Sequence, residues 1–171
     1  MKTIKGDLIK LAEQGEFDMI IHGCNCFHTM GNGLAKQLAT KYPQVLEADR
    51  GTEYGDPEKL GYFSVAYVDV NGHSFSVINL YTQYKWGSGS DLFEYDHFEL
   101  YLRKIAHFMT GFPESLFTPK FKIGFPQIGA DISGGDWNRI SKMIEKFSAD
   151  VASHAEVTVV EYQSQCTGEN K

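Results

Sequence analysis

The sequence predicts an α/β fold, a layered sheet with helices on both faces, and three observations predict it. Strand-like and helix-like segments alternate along almost the whole chain, the signature of a sheet covered by helices. The run DMIIHGC at 18–24 is compact and apolar, as in a strand buried on both faces. No internal repeat, low-complexity tract or long linker divides the 171 residues, a length that suits one domain. A chain of this size buries roughly 70% of its unfolded surface, so it needs no disulfide or metal to fold.

The elements follow in order. Met1 to Lys5 reads as a short strand, and Asp7 to Gln14 as a helix with Asp7 as its N-cap. The buried strand at 18–24 comes next. Gly31-Asn32-Gly33 breaks the chain, after which Leu34, Leu38 and Tyr42 recur at helical spacing until Pro43. Gly51 to Lys59 is polar and turn-rich, a surface loop. Tyr62 to Val70 and Ser74 to Tyr81 read as strands joined across Asn71-Gly72, a dipeptide suited to a two-residue hairpin turn. Gly87 to Ser90 reads as a flexible loop. Phe93, His97, Leu100, Lys104 and Phe108 then keep a helical period. Phe121 to Phe125 is a short strand and Gln127 to Gly135 a second glycine-bearing loop. Trp137, Ile140, Ile144 and Phe147 mark the last long helix, and Val157 to Tyr162 the last strand. The domain is expected to span 1–163, with 164–171 a polar tail.

Composition narrows the function. Sixteen basic and 22 acidic residues give a net charge of −6, which argues against general nucleic-acid binding through a basic surface. No stretch approaches the roughly 20 apolar residues of a membrane span. MKTIKGDLIK holds no apolar core long enough for a secretory signal, and the odd set Cys24, Cys26 and Cys166 reads as reduced thiols. The expectation is a cytoplasmic protein, monomeric, with no membrane association.

Two segments share one layout of strand, glycine-rich loop and helix: IIHGCNCFHTMGNGLAKQL and FPQIGADISGGDWNRI. Unpaired N–H groups and the positive dipole end of a helix N-terminus favour anions, and glycines let the backbone approach a ligand closely. Two such loops at strand carboxyl ends would face one crevice, where α/β sheets bind ligands. That points to an extended ligand carrying a diphosphate. Neither loop fits GxxxxGK[ST] or GxGxxG.

IKGDL, NCFHTMGNGLAKQLATKYP, INLYTQYKWGSG and FPQIGADISGGDW together resemble the macrodomain family, over about 1–162. The pattern is most similar to the branch holding yeast-type ADP-ribose 1''-phosphate phosphatases, terminal ADP-ribose glycohydrolases and macrodomain antitoxins. The resemblance implies a three-layer αβα domain with a mixed central sheet, acting on ADP-ribose or ADP-ribose 1''-phosphate without a cofactor or metal. By position, Asp7, with Leu8 beside it, would bond the adenine amine. Asn25 would sit near the distal ribose. Gly31, Asn32, Gly33, Leu34 and Ala35 would wrap the diphosphate and distal ribose. Tyr81, Thr82 and Gln83 would line the pocket. Ile128, Gly129, Ala130, Asp131, Ile132, Ser133 and Gly134 would form the second phosphate loop.

Departures from the pattern bear on activity. Gln83 stands where the glycohydrolase and antitoxin members carry a catalytic lysine, and Ser133 where the glycohydrolase has its aspartate. Lys85 and Asp131 lie two residues away from those positions. His22 matches the phosphatase branch, where an imidazole can attack phosphorus or relay a proton, with Asp91 as its partner. The residues also fit a plainer reading: His22 bonded in the core, and Asp91 capping the Phe93 helix. The implied activity is phosphatase on ADP-ribose 1''-phosphate. The alternatives are a non-catalytic ADP-ribose-binding module and a hydrolase that removes ADP-ribose from protein or nucleic acid. His22, Cys24, Cys26 and His28 alternate, but alternate side chains of a strand are about 6.6 Å apart. Tetrahedral zinc needs its ligands closer together, so no metal site is expected. Phe27, Tyr84, Trp86 and Trp137 are the aromatics near the loops that are open to stacking on adenine.

Overall fold

The computed structural model describes residues 1–87, 92–130 and 133–163. Among them a six-stranded sheet runs in the order β1-β6-β5-β2-β4-β3. The strands are β1 (Lys2–Gly6), β2 (Met19–Asn25), β3 (Phe63–Val70), β4 (His73–Gln83), β5 (Phe121–Pro126) and β6 (Ala155–Tyr162). All neighbours are parallel except β3, which pairs antiparallel with β4. The sheet is therefore mixed. The β3–β4 hairpin turns at Asn71 (φ 52°) and Gly72 (φ 78°), the pair of left-handed residues that a two-residue turn requires.

Helices cover both faces. On one side lie α1 (Leu8–Glu13), α2 (Gly33–Lys41) and α3 (Pro43–Arg50); on the other lie α4 (Tyr95–Thr110) and α5 (Trp137–Asp150). Strand periodicity divides the core between them. On β2, Ile20 joins Leu38 and Val45 on the first face, while Ile21 joins Phe98 and Ile144 on the second. Each of these side chains is fully buried, which contributes about 1.5–3 kcal/mol apiece. Asp7 caps α1, its Oδ1 accepting from the N–H of Ile9 at 3.0 Å and of Lys10 at 3.2 Å.

Three features differ from the sequence reading. Pro43 ends α2 and also begins α3, because a proline at the first helical position gives up no intrahelical hydrogen bond. The 51–59 segment is not wholly a surface loop. It ends in a 3₁₀ turn at Pro57–Lys59, and Lys59 is buried. The helix expected at Phe93 begins at Tyr95 with Glu94 as its N-cap, while Phe93 drops into the core. That cap position does not fall on Asp91, which itself lies outside the described residues. Among the described residues no helix is long and apolar enough to cross a membrane.

Candidate functional site

The strand order brings the carboxyl ends of β5, β2 and β4 side by side, and a cleft of about 570 Å³ opens above them. This volume falls in the range of small-molecule sites. Its floor is β2 from His22 to Asn25, flanked by Thr82 and Gln83 of β4 and by Pro126 of β5. Its walls are the two glycine loops. A smaller hollow of about 370 Å³ lies between α4 and α5. It sits on the outer helical layer, away from the strand ends, so the larger cleft is the candidate site.

The first loop is held by Asn25, whose Nδ2 donates to Thr29 O at 3.1 Å and Thr29 Oγ1 at 2.6 Å. Its Oδ1 accepts from Phe27 N–H at 2.9 Å. The loop delivers the chain to α2, whose Asn32 N-cap makes no side-chain hydrogen bond to the helix. The first-turn residues Gly33, Leu34 and Ala35 line the cleft, so a helix N-terminus faces it.

The second loop is arranged differently. Ile128 N–H bonds Pro126 O at 2.7 Å and Ala130 N–H bonds Gln127 O at 3.2 Å, so both amides close the turn itself. The next helix, α5, is capped by Asp136, whose side chain accepts from Asn138 and Arg139 N–H. Only the first of the two loops therefore presents an uncapped helix end. Gly129 holds φ +75°, and a Cβ there would come within 2.3 Å of Phe93 Cδ2. The loop needs this glycine for its path, whatever it binds.

Beneath the cleft His22 is only 2% exposed. Its Nε2 meets Asn79 Oδ1 at 2.7 Å. The Asn79 amide is oriented by its other end, which donates to Val45 O at 2.9 Å and Ser64 Oγ at 3.0 Å. His22 Nε2 must therefore carry the proton, which leaves Nδ1 as an acceptor. Burial pushes the imidazole down to about 4, against the opposing pull of the Asn79 bond, so the ring is neutral at pH 7. The Cys24 sulfur lies 3.9 Å from Nδ1, and burial raises its thiol well above the usual range. It remains a thiol.

The network continues behind the floor. Ser64 Oγ and the Tyr81 hydroxyl bond at 3.4 Å, and that hydroxyl donates to Asp49 Oδ1 at 2.8 Å. Thr52 Oγ1 donates to Asp49 O at 2.7 Å and meets His28 Nε2 at 3.1 Å. Lys59 closes the group, its Nζ donating to Cys26 O at 3.1 Å and lying 4.3 Å from the Tyr81 ring centroid. Burial lowers the Lys59 ammonium, opposed by Asp49.

No family model matches the chain. Among curated proteins it is 38% identical over 164 residues to the uncharacterized 17.5 kDa protein in the tk-vs intergenic region of Enterobacteria phage T4, covering 95% of this chain and 97% of that one. Among solved structures, the macrodomain of Mycobacterium tuberculosis DarG superposes with a TM-score of 0.69 at 19% identity, over 96% of this chain and 97% of that one. The chain has the macrodomain fold. The ADP-ribose 1''-phosphate phosphatase of Saccharomyces cerevisiae strain YJM789 is 24% identical to this macrodomain over 169 residues, 87% of this chain and 93% of that one. A Trypanosoma brucei macrodomain in complex with ADP-ribose matches with a TM-score of 0.59 at 14% identity, over 94% of this chain and 62% of that one.

In this macrodomain the residues singled out from the sequence divide into groups. His22, Asn25, Gly31, Asn32, Gly33, Leu34 and Ala35 line the cleft. So do Thr82, Gln83, Ile128, Gly129 and Ser133. Asp7 stands at the start of α1, outside the lining, and Leu8 is a core residue. Tyr81 turns away from the cleft into the Asp49 network. Ala130 and Gly134 belong to the second loop without lining the cleft. Asp91, Asp131 and Ile132 lie outside the described residues, as does Cys166. The hydroxyl of Ser133 is committed to Gly129 O at 2.8 Å and the Gln83 amide to Lys85 O at 2.8 Å. Among the described residues no three His, Cys, Asp or Glu side chains gather where a metal ion could sit.

Sequence reasoning missed Asn79, Asp49 and Lys59. Asn79 sits inside the strand INLYT, where a buried amide among apolar neighbours was the available signal. Asp49 and Lys59 lie in segments whose composition reads as surface.

Proposed function

We propose that the cleft binds ADP-ribose and that the protein removes the terminal phosphate of ADP-ribose 1''-phosphate. The observation that carries this reading is His22. A neutral imidazole lies under the phosphate-facing cleft, with Nε2–H fixed by Asn79 and a lone pair left on Nδ1. The likeness to the yeast phosphatase supports the same reaction. The uncapped α2 N-terminus holds the diphosphate, with the second loop closing the other side of the cleft and most of the rate coming from orientation and N–H stabilisation of charge. Nδ1 takes the proton of the attacking water, or attacks phosphorus itself to form a phosphoimidazole that water then hydrolyses. In either course the bond between phosphorus and the 1''-oxygen breaks and that oxygen leaves as a hydroxyl, with water supplying the proton and the new phosphate oxygen. The products are ADP-ribose and inorganic phosphate.

The test is phosphate release from ADP-ribose 1''-phosphate alongside calorimetric binding of ADP-ribose. His22→Ala is expected to stop release and leave ADP-ribose affinity within about threefold. Full release by that variant removes His22 from the mechanism.

One observation favours the second reading, a binding module without turnover: His22 is only 2% exposed. Tight ADP-ribose binding with no phosphate release selects that reading. Removal of ADP-ribose from a macromolecule has less support. Lys85 is exposed with its Nζ 5.9 Å from the Tyr84 ring centroid, and it does not line the cleft.

A further inference from the structure

The strand order gives the cleft two distinct ends. Asp7 follows β1 at one edge of the sheet, while the cleft lies over β5, β2 and β4. Trp86, three residues beyond the end of β4, lines the cleft on the side away from β1. With ADP-ribose in the cleft and its adenine toward Asp7, Trp86 stands beside the distal ribose and whatever that sugar carries.

Trp86 is 57% exposed and yet held in place. Its ring meets Phe27 edge-on at 5.3 Å and 70°. Phe27 in turn meets Tyr54 at 5.4 Å and Tyr84 at 5.1 Å. The Tyr84 hydroxyl donates to Gly55 O at 3.0 Å. Gly55 itself has φ +71°, and a Cβ there would stand 3.0 Å from Phe27 Cε1. Segments following β2, α3 and β4 thus converge to fix one flat aromatic wall at the mouth of the cleft. The face of an aromatic ring carries negative charge density, so it gives a phosphate no stabilisation. It suits the face of another planar ring, above all a cationic or electron-poor one.

We propose that Trp86, braced by Phe27, Tyr54 and Tyr84, forms a subsite for a planar heteroaromatic ring attached to the distal ribose of an ADP-ribosyl ligand. This rests on the reading of the cleft as an ADP-ribose site. It adds a specificity that a terminal phosphate does not use.

The probes are the α and β anomers of NAD, in which a cationic nicotinamide ring sits on the distal ribose, with ADP-ribose as the ring-free control. Binding to the full chain is measured by calorimetry. Trp86→Ala is expected to weaken at least one NAD anomer about fivefold or more while ADP-ribose stays within twofold, and Trp86→Phe to keep most of the affinity. In a Trp137→Phe background, where Trp86 is the remaining tryptophan, the NAD anomer is expected to quench its emission and ADP-ribose to leave it nearly unchanged. Equal loss for NAD and ADP-ribose in Trp86→Ala would assign the indole to the sugar and overturn the proposal. So would no loss for either ligand, or ADP-ribose binding with neither anomer bound. Failure of ADP-ribose itself to bind the wild-type chain would instead bring down the reading of the cleft, and this subsite with it.

Discussion

His22 Nε2 lies 2.7 Å from Asn79 Oδ1, and both side chains are almost wholly buried, one on β2 and the other on the adjacent strand β4. The pair sits in register across the two strands, so the imidazole reaches its partner without leaving the sheet. Asn79→Ala leaves His22 Nε2–H, Val45 O and Ser64 Oγ without their common partner. It is expected to cost about 2–4 kcal/mol of stability by urea unfolding and to reduce phosphate release at least tenfold. A variant with wild-type turnover would show that the orientation of the imidazole is immaterial.

The same burial makes stability depend on pH. In the folded state His22 titrates near 4, below its ordinary value of 6.5. Above pH 6.5 both states hold the ring neutral and the folded state keeps its full stability. As pH falls below 6.5 the unfolded state gains a proton that the folded state refuses. Stability therefore drops until about pH 4, by about 3 kcal/mol for this group. Chemical denaturation from pH 7.5 to 4 is expected to show this slope, and His22→Gln to flatten it. An unchanged slope in that variant would assign the effect to other groups.

Gly31 and Gly129 separate ligand contact from fold. A Cβ at Gly31 meets nothing within 4 Å, whereas at Gly129 it strikes Phe93 from a left-handed backbone. Gly31→Ala is expected to keep stability within about 0.5 kcal/mol and to lower ADP-ribose affinity by placing a methyl group where the ligand meets the cleft wall. Gly129→Ala is expected to lower the thermal midpoint by several degrees before any ligand is added. Thermal melts with and without ADP-ribose distinguish the two, and equal melting points for both variants would refute the distinction.

Tyr81→Phe tests the network behind the floor. Removing the hydroxyl takes away the donor to Asp49 Oδ1, a carboxylate that is 1% exposed. Leaving a buried carboxylate short of one donor costs about 1–3 kcal/mol. The expected result is a loss of that size in urea unfolding, with the His28 ring, tied to the same node through Thr52, shifting in NMR. Neutral stability would mean that the carboxylate finds another donor.

Much of the architecture was legible because it rests on local pattern. The run MIIHG is apolar and short, Asn71-Gly72 supplies left-handed turn residues, and the stripe on α5 repeats at helical spacing. Each signal is set by neighbours in the chain. Pro43 misled because a proline ends one helix and begins the next with equal ease. Lys59 misled because a lysine in a polar, turn-rich segment ordinarily faces water. Here its ammonium finds Cys26 O, contributed by a residue 33 positions earlier.

By itself the sequence determined the alternation of strands and helices, the two glycine loops and the placing of His22 on a buried strand. These follow from periodicity and from backbone freedom at glycine. Only the tertiary structure decided that α2 presents its N-terminus uncapped while Asp136 caps α5. It alone decided that Asn79 fixes the proton of His22 and that Trp86 stands at the mouth of the cleft. Each of these depends on which strands become neighbours. The parallel pairing of β2 with β4 joins residues 57 positions apart, a distance over which no local pattern carries information.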